Sequence, residues 1–311
     1  MAMMVDQQTI STRTWVELGV LGVIWGGSYI GARMTLEEFG VLSTVALRML
    51  GASVMIWVYV WWRGLPVPRN PRVWAAFVIS GIIGNALPYS LISWGQLTVP
   101  AGLAAILLCS ATIFSMLIAA AMFADERLSP RRLCGAMLGL AGVTLALGPE
   151  NLMHFNPGSV GQLACLAAAL SYGLAANFAR ASFSGVAPQV ITAGVLTMAS
   201  LLMLPAAIAV DGLPTLDHSV KSWAVLAALA LIATGLAYLL LFRLIVTAGA
   251  SNASLNTLIS APTAMILGAV VLGEVLPARA YPGFLLIALG LLVIDGRAVR
   301  YFSRALRAPA R

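Results

Sequence analysis

Ten stretches of roughly twenty predominantly apolar residues govern what this chain can become. They run over 15–33, 41–62, 73–96, 100–123, 133–149, 159–179, 189–210, 222–246, 251–273 and 280–297, with short loops between. Each matches the hydrocarbon thickness of a bilayer. No water reaches backbone N–H and C=O groups there, so each run must be helical. A membrane β-barrel would instead alternate apolar and polar residues over short strands, and these runs are continuous. No loop is long enough to hold a soluble domain. The composition agrees: 60% of the 311 residues are hydrophobic and 9% are charged, where soluble domains carry about 25% charged residues.

The net charge of +7 and pI near 9.8 do not signal nucleic acid, because the basic residues flank apolar runs instead of clustering. One face takes the N-terminus, loops 63–72, 124–132, 180–188 and 247–250, and the C-terminus. It holds Arg13, Arg63, Arg69, Arg72, Arg127, Arg131, Arg132, Arg180, Arg297, Arg300, Arg304, Arg307 and Arg311. The opposite face holds Arg33, Lys221 and Arg279. The positive-inside rule then makes both termini cytoplasmic, with tails 1–14 and 298–311, in a multi-pass protein of the cytoplasmic (inner) membrane. No short apolar stretch with a cleavage site precedes the first run, so an uncleaved first helix is expected. Trp15, Trp61, Trp62, Trp74 and Trp223 sit at span ends, where aromatic belts form.

The chain also repeats itself. Trp25-Gly26 through Ala32-Arg33 matches Tyr172-Gly173 through Ala179-Arg180 at an offset of 147 residues. Leu87, Tyr89 and Thr98 match Leu236, Tyr238 and Thr247 at 149; Glu126, Leu128, Arg131 and Gly135 match Glu274, Leu276, Arg279 and Gly283 at 148. The units are 15–149 and 159–297. Each holds five spans, an odd number, so the second enters the membrane upside down. Inverted repeats are a transporter architecture, with substrate held near the midplane between the halves. The expected fold is all-α: ten transmembrane helices as two inverted five-helix repeats around a central cavity.

At these residues the chain resembles the EamA-type branch of the drug/metabolite transporter superfamily, over nearly its whole length. Trp25-Gly26 matches a motif of the first span, and Arg48 an arginine of the second. Small residues open the fourth and ninth spans, at Ala101–Ala105 and Ala250–Ser254. A proline usual in both is present as Pro262 but replaced by Thr112 or Ile113 in the fourth. The hairpin G-E-x-L-x-P is matched by Glu274 to Pro277 and more loosely by Asp125 to Pro130. The resemblance implies a secondary carrier that exports small amphipathic metabolites by alternating access, and close relatives include exporters of aromatic and other neutral amino acids.

Polar residues inside spans are costly and line a cavity or another helix. Asn85, Tyr89, Ser93 and Gln96 share one face of the third span, beside Pro88. Asn252, Asn256, Ser260 and Thr263 make a similar stripe in the ninth, beside Pro262. Trp25 and Tyr29 are a turn apart in the first span; Ser171, Tyr172 and Asn177 cluster in the sixth; Thr234 and Tyr238 are the repeat partners of Asn85 and Tyr89. The candidate substrate site is Trp25, Tyr29, Asn85, Tyr89, Ser93, Ser110, Tyr172, Thr234, Tyr238, Asn256 and Ser260. Hydroxyls and amides would meet a zwitterion's charged groups, and aromatic rings its side chain. The competing reading is interhelical contact. Arg48 is open to four readings: snorkelling, capping a carbonyl, pairing with an acid, or a direct role at the substrate. Snorkelling suits Arg243, nearer an end. Glu126 and Glu274 at the hairpins suit arginine pairing or helix capping.

No cofactor, metal or catalytic residue is expected. Cys109, Cys134 and Cys165 are odd in number with no C-x-x-C spacing, and His154 and His218 are isolated. There is no Walker motif. No acid falls mid-span, Glu17 and Asp295 being nearest, which favours facilitated diffusion, with proton coupling through Glu17 or a tyrosine as the alternative. Partners are then a small-molecule substrate and the lipid bilayer, with no nucleic acid, and a monomer is expected to suffice, a dimer being compatible. Alternative cargoes are nucleotide-sugars, drugs or lipid-linked sugars. An integral-membrane transferase would need clustered His or Asp at a membrane face, and neither is present.

Overall fold

A computed structural model describes residues 10–35, 38–95, 97–213 and 217–295. The described residues are helical and contain no strand. Helix α1 is Thr12–Thr35 and α2 is Val41–Trp62. Helix α3 covers 71–95 and contains a π-helical segment, Ile82–Ala86. Helix α4 covers 101–122 and breaks at Ser110. Helices α5, α6 and α7 are Pro130–Leu147, Val160–Ser182 and Pro188–Asp211. Helix α8, Val220–Ala248, contains a second π segment, Leu229–Leu236. Helix α9 covers 250–272 with a break at 254–255, and α10 is Ala280–Asp295.

Eight of these helices are long and apolar enough to cross a membrane. The other two of the ten expected spans fall short by themselves. α5 opens on Pro130-Arg131-Arg132, and α10 has only 16 residues. The two pack along each other through glycines. A Cβ at Gly142 would stand 2.7 Å from the Gly283 carbonyl oxygen, so only glycine permits this approach.

Loop-side polar residues start the helices. Asn70 accepts from the Arg72 amide at 2.9 Å ahead of Pro71, and Ser129 from the Arg132 amide at 3.2 Å ahead of Pro130. These side chains satisfy amides that have no intrahelical partner, and proline at the first position lacks one to satisfy. Leucine and valine faces point outward along most helices, and Trp61 and Trp62 are exposed at the end of α2. That is how a lipid-facing surface differs from a water-facing one.

The main packing partners cross between the two halves of the chain. α1 packs on α9 and α4 on α6; α2 packs on α8 and α3 on α7; α2 meets α7, and α5 meets α10. The Trp25-Gly26 pair shows why glycine is used. A Cβ at Gly26 would meet Thr263 of α9 at 2.8 Å. At the matching Gly173 it would meet the Ser115 amide of α4 at 2.9 Å.

Candidate functional site

The two π segments lie in repeat-related positions, and each carries a polar residue: Asn85 in α3 and Thr234 in α8. A π turn widens the helix by a residue and frees carbonyls from the regular ladder. A backbone amide and several side chains take up those carbonyls. The Leu87 amide bonds back five residues to the Ile82 carbonyl. Ser171 of α6 donates to the Ile83 carbonyl at 2.6 Å. The Trp25 indole donates to the Ala233 carbonyl at 3.1 Å, and the Thr234 hydroxyl to the Leu229 carbonyl at 2.9 Å. The π geometry is therefore held from neighbouring helices as well as within the chain segment.

Between the segments lies a polar cluster built by both halves. The Tyr238 hydroxyl donates to Asn85 Oδ1 at 2.5 Å. Trp25 meets the Tyr238 ring edge-on, centroids 6.0 Å apart at 70°. Arg48 of α2 donates through Nε to Thr234 Oγ1 at 3.2 Å. Thr234 is the middle residue of the 29-residue α8. Tyr89 packs half-buried against the apolar layer of Met49, Ala52 and Leu196, as Tyr238 does. Asn85 is 1% exposed, and its Nδ2 has no partner.

Arg48 belongs to this cluster and is absent from the residues expected to line a site. Placing a guanidinium at a helix centre costs about 2.5–3.5 kcal/mol on an insertion scale. Thr234 satisfies one of its five donors. Among the described residues no carboxylate pairs with it. Of its four readings from sequence, pairing with an acid is thus not what the described residues show. Arg243, by contrast, reaches Glu17 of α1 at 3.3 Å, so it ties α8 to α1 instead of only snorkelling.

The structure gathers Trp25, Asn85, Thr234 and Tyr238 of the expected site, with Tyr89 beside them. It does not bond the ninth-helix stripe to them. The Asn256 amide donates to the Ala253 carbonyl at 2.8 Å, Ser260 to Thr257 at 3.2 Å, and Thr263 to Ile259 at 2.8 Å. Asn256 keeps Oδ1 buried without a partner. Ser110 donates to the Leu107 carbonyl at the α4 break, and Tyr172 is half-buried on α6. The side chains of Tyr29 and Ser93, and all of Gln96, lie outside the described residues.

A second polar cluster closes the end of the molecule that carries the α4–α5 hairpin. Glu126, 6% exposed, accepts from the Ala250 and Ser251 amides at 3.0 and 3.2 Å. It also accepts from the Ser251 hydroxyl and from Arg180 Nη1. A carboxylate at the first amides of α9 answers both their unpaired N–H groups and the helix dipole. Arg180 adds Asp125 at 2.5 Å and stacks on Phe123 at 4.2 Å. Arg132 donates to Asn252 Oδ1. Glu126 therefore both pairs with arginine and caps a helix, as its hairpin position suggested. Glu274 is exposed.

The signal for the central cluster was present in the sequence: a polar residue beside a glycine, Gly84-Asn85 and Thr234-Gly235, at repeat-related positions. Nothing in the sequence signalled the π segments, because their carbonyls are taken by Ser171 and Trp25 from other helices.

Comparison with known proteins follows the same division of the chain. The EamA-like transporter family matches residues 14–148 and again 159–295. A probable terminal-alkyne amino-acid exporter of Streptantibioticus cattleyicolor is 25% identical, covering 93% of this chain and 95% of that protein. The uncharacterized transporter YoaV of Bacillus subtilis is 22% identical, covering 89% and 96%. A solved crystal structure superposes with a TM-score of 0.77 at 20% identity, over 92% of this chain and 98% of that one, a likeness of fold.

Proposed function

The chain belongs to the EamA-like transporter family, and from that premise we propose that this membrane transporter exports small amphipathic metabolites, amino acids foremost. In this reading the halves are 15–149 and 159–297, inverted with respect to each other, and all ten helices cross the inner membrane. α5 and α10 cross as a pair, each covering the other's small-residue face. Exchanging the halves turns the α1·α9 contact into α6·α4 and α2·α8 into α7·α3, while α2·α7 and α5·α10 map onto themselves. That pattern supports a two-fold relation. Both termini are cytoplasmic, on the charge argument above. The family match and the exporter from S. cattleyicolor support amino acids as cargo.

One observation carries the proposal: the Tyr238–Asn85 bond, which joins the halves beside the π segments at mid-helix. A cross-half polar contact there breaks and re-forms as the halves rock, and a substrate competes for it. The test is counterflow of aromatic and neutral amino acids in proteoliposomes without ATP. Tyr238→Phe, Asn85→Ala and Thr234→Val should each lower transport at unchanged yield and monodispersity. Normal transport by all three would remove the site from the centre.

A further inference from the structure

We propose that Arg48 is the carboxylate anchor of this site, so that cargo is recognised by a carboxylate and needs no ammonium group. The inference rests on reading the Tyr238–Asn85 cluster as the substrate site, and it deepens that reading.

Arg48 spends only Nε on the protein, at Thr234. Its two terminal nitrogens make no hydrogen bond with a described residue, and neither is fully buried. These are the nitrogens that present the fork to which a carboxylate binds through both oxygens. With the Tyr238 hydroxyl donating to Oδ1, the buried Asn85 amide has a second unused donor, Nδ2. Thr234 and Tyr238, which hold Arg48 and Asn85, are one helical turn apart on α8, so both donor groups attach to the same stretch of that helix. What they lack is an acceptor. A buried donor without one is unfavourable, and the unpaired Asn85 amide beside the Arg48 cation calls for an anion.

Among the described residues the cluster offers no matching acid for an ammonium. The carboxylates in described ion pairs belong to Glu17, Glu38, Asp125, Glu126 and Glu150, all near helix ends or in loops. The repeat also leaves the cation unmatched. Positions 147–149 residues beyond Arg48 are Val195, Leu196 and Thr197. A single cation in an otherwise two-fold frame fixes one orientation of the cargo, carboxylate at Arg48 and the ring toward Trp25 and Tyr238. The class that fits best is the aromatic carboxylate, with N-acylated and deaminated forms accepted alongside the amino acid.

The test uses the full chain purified in detergent and in proteoliposomes. Phenylalanine, N-acetylphenylalanine and phenylalaninamide are compared by binding, read as Trp fluorescence and thermal stabilisation, and by counterflow. The first two should bind and exchange, and the amide, which lacks the carboxylate, should do neither. Arg48→Gln should weaken both carboxylate ligands by about tenfold to a hundredfold. Arg48→Lys, which keeps the charge and loses the fork, should fall between. If Arg48→Gln misfolds, the wild-type comparison and Arg48→Lys still decide. Equal binding of phenylalaninamide and phenylalanine, or of phenylalanine to wild type and Arg48→Gln, overturns the anchor. Tyr238→Phe affecting transport in that case leaves the site standing without it. No response to any of the three compounds overturns the amino-acid reading together with the anchor.

Discussion

Removing the Glu126 carboxylate is the sharpest test of how the halves are held together at the α4–α5 hairpin end. Glu126 belongs to the first half, while Arg180 and the N-terminus of α9 belong to the second. Glu126→Ala would delete four acceptor contacts at once: two amides, a hydroxyl and a guanidinium. Breaking one side of a buried ion pair costs about 3–5 kcal/mol, because the other charge stays behind. Arg180 is 21% exposed and keeps Asp125, which places this pair at the low end of that range. Losing the helix cap adds about 1 kcal/mol. A loss of about 3–4 kcal/mol is expected, and at about 2 °C per kcal/mol the midpoint should fall by about 6–8 °C. The assay is thermal unfolding of the full chain in one detergent. Ser251→Ala, which removes the hydroxyl alone, should cost about 1 kcal/mol. Glu126→Ala combined with Arg180→Ala should recover part of the loss, since the Arg180 charge is no longer left behind without Glu126. The repeat partner Glu274 is exposed, so Glu274→Ala should cost under about 1 kcal/mol. Equal losses at Glu126 and Glu274, or a loss under about 1 kcal/mol at Glu126, would refute the reasoning.

Gly142→Ala places its Cβ 2.7 Å from both the Gly283 oxygen and the Ile287 nitrogen, so α5 and α10 must separate. A loss of about 1–3 kcal/mol should follow in the same unfolding assay. Glu38 ties the α1–α2 loop to the start of α8 by accepting from the Ser219 amide and hydroxyl, each at 2.7 Å. These bonds hold its carboxyl below the ordinary value of 4.5, the Ser219 hydroxyl contributing most. A lowered folded-state value means the tie is complete above 4.5 and lost as pH falls through the lowered value. Hydrogen exchange at the Ser219 amide, corrected for intrinsic rate, should lose protection over that acid range and stay flat above it. If cargo is a carboxylate without an ammonium, export carries one negative charge outward while Arg48 stays with the protein. An inside-negative potential of 100 mV is worth about 2.3 kcal/mol, about a 50-fold gradient, so potassium–valinomycin clamps should drive N-acetylphenylalanine and leave phenylalanine unmoved.

The helices were legible because their cause is local. Hydrocarbon imposes length and helicity run by run, and the expected 41–62 and 222–246 became Val41–Trp62 and Val220–Ala248. The two expected spans that fall short in length or composition, α5 and α10, pack on each other through glycines, a contact that apolarity alone does not signal. Side-chain partners were less legible. Helical periodicity placed Asn85 and Tyr89 on one face, and that face does meet the second half. The same periodicity placed Asn256, Ser260 and Thr263 together, yet each donates to its own helix. Serine, threonine and asparagine can always satisfy themselves on a carbonyl three or four residues back, so spacing cannot distinguish a pocket from a self-bonded face. Arg48 was undecidable for a related reason: its long stem could reach an end, a carbonyl or an acid, and only the fold puts Thr234 within reach.

The repeat matters most where it fails. Asn85 and Thr234 are partners in the duplication, and both sit in π segments, but they are used differently. Asn85 holds the phenol of the opposite half, whereas Thr234 holds the arginine. Trp25 and Tyr172 are partners too, and it is Trp25 whose indole reaches the second π segment. A strictly two-fold site would bind a directional molecule equally well in two opposed orientations. One arginine without a counterpart, and one indole where the other half has a phenol, remove that degeneracy. On the proposed inverted reading, a near-symmetric frame would give the halves two equivalent ways to rock, and the unmatched side chains at its centre would give the cargo one way to sit.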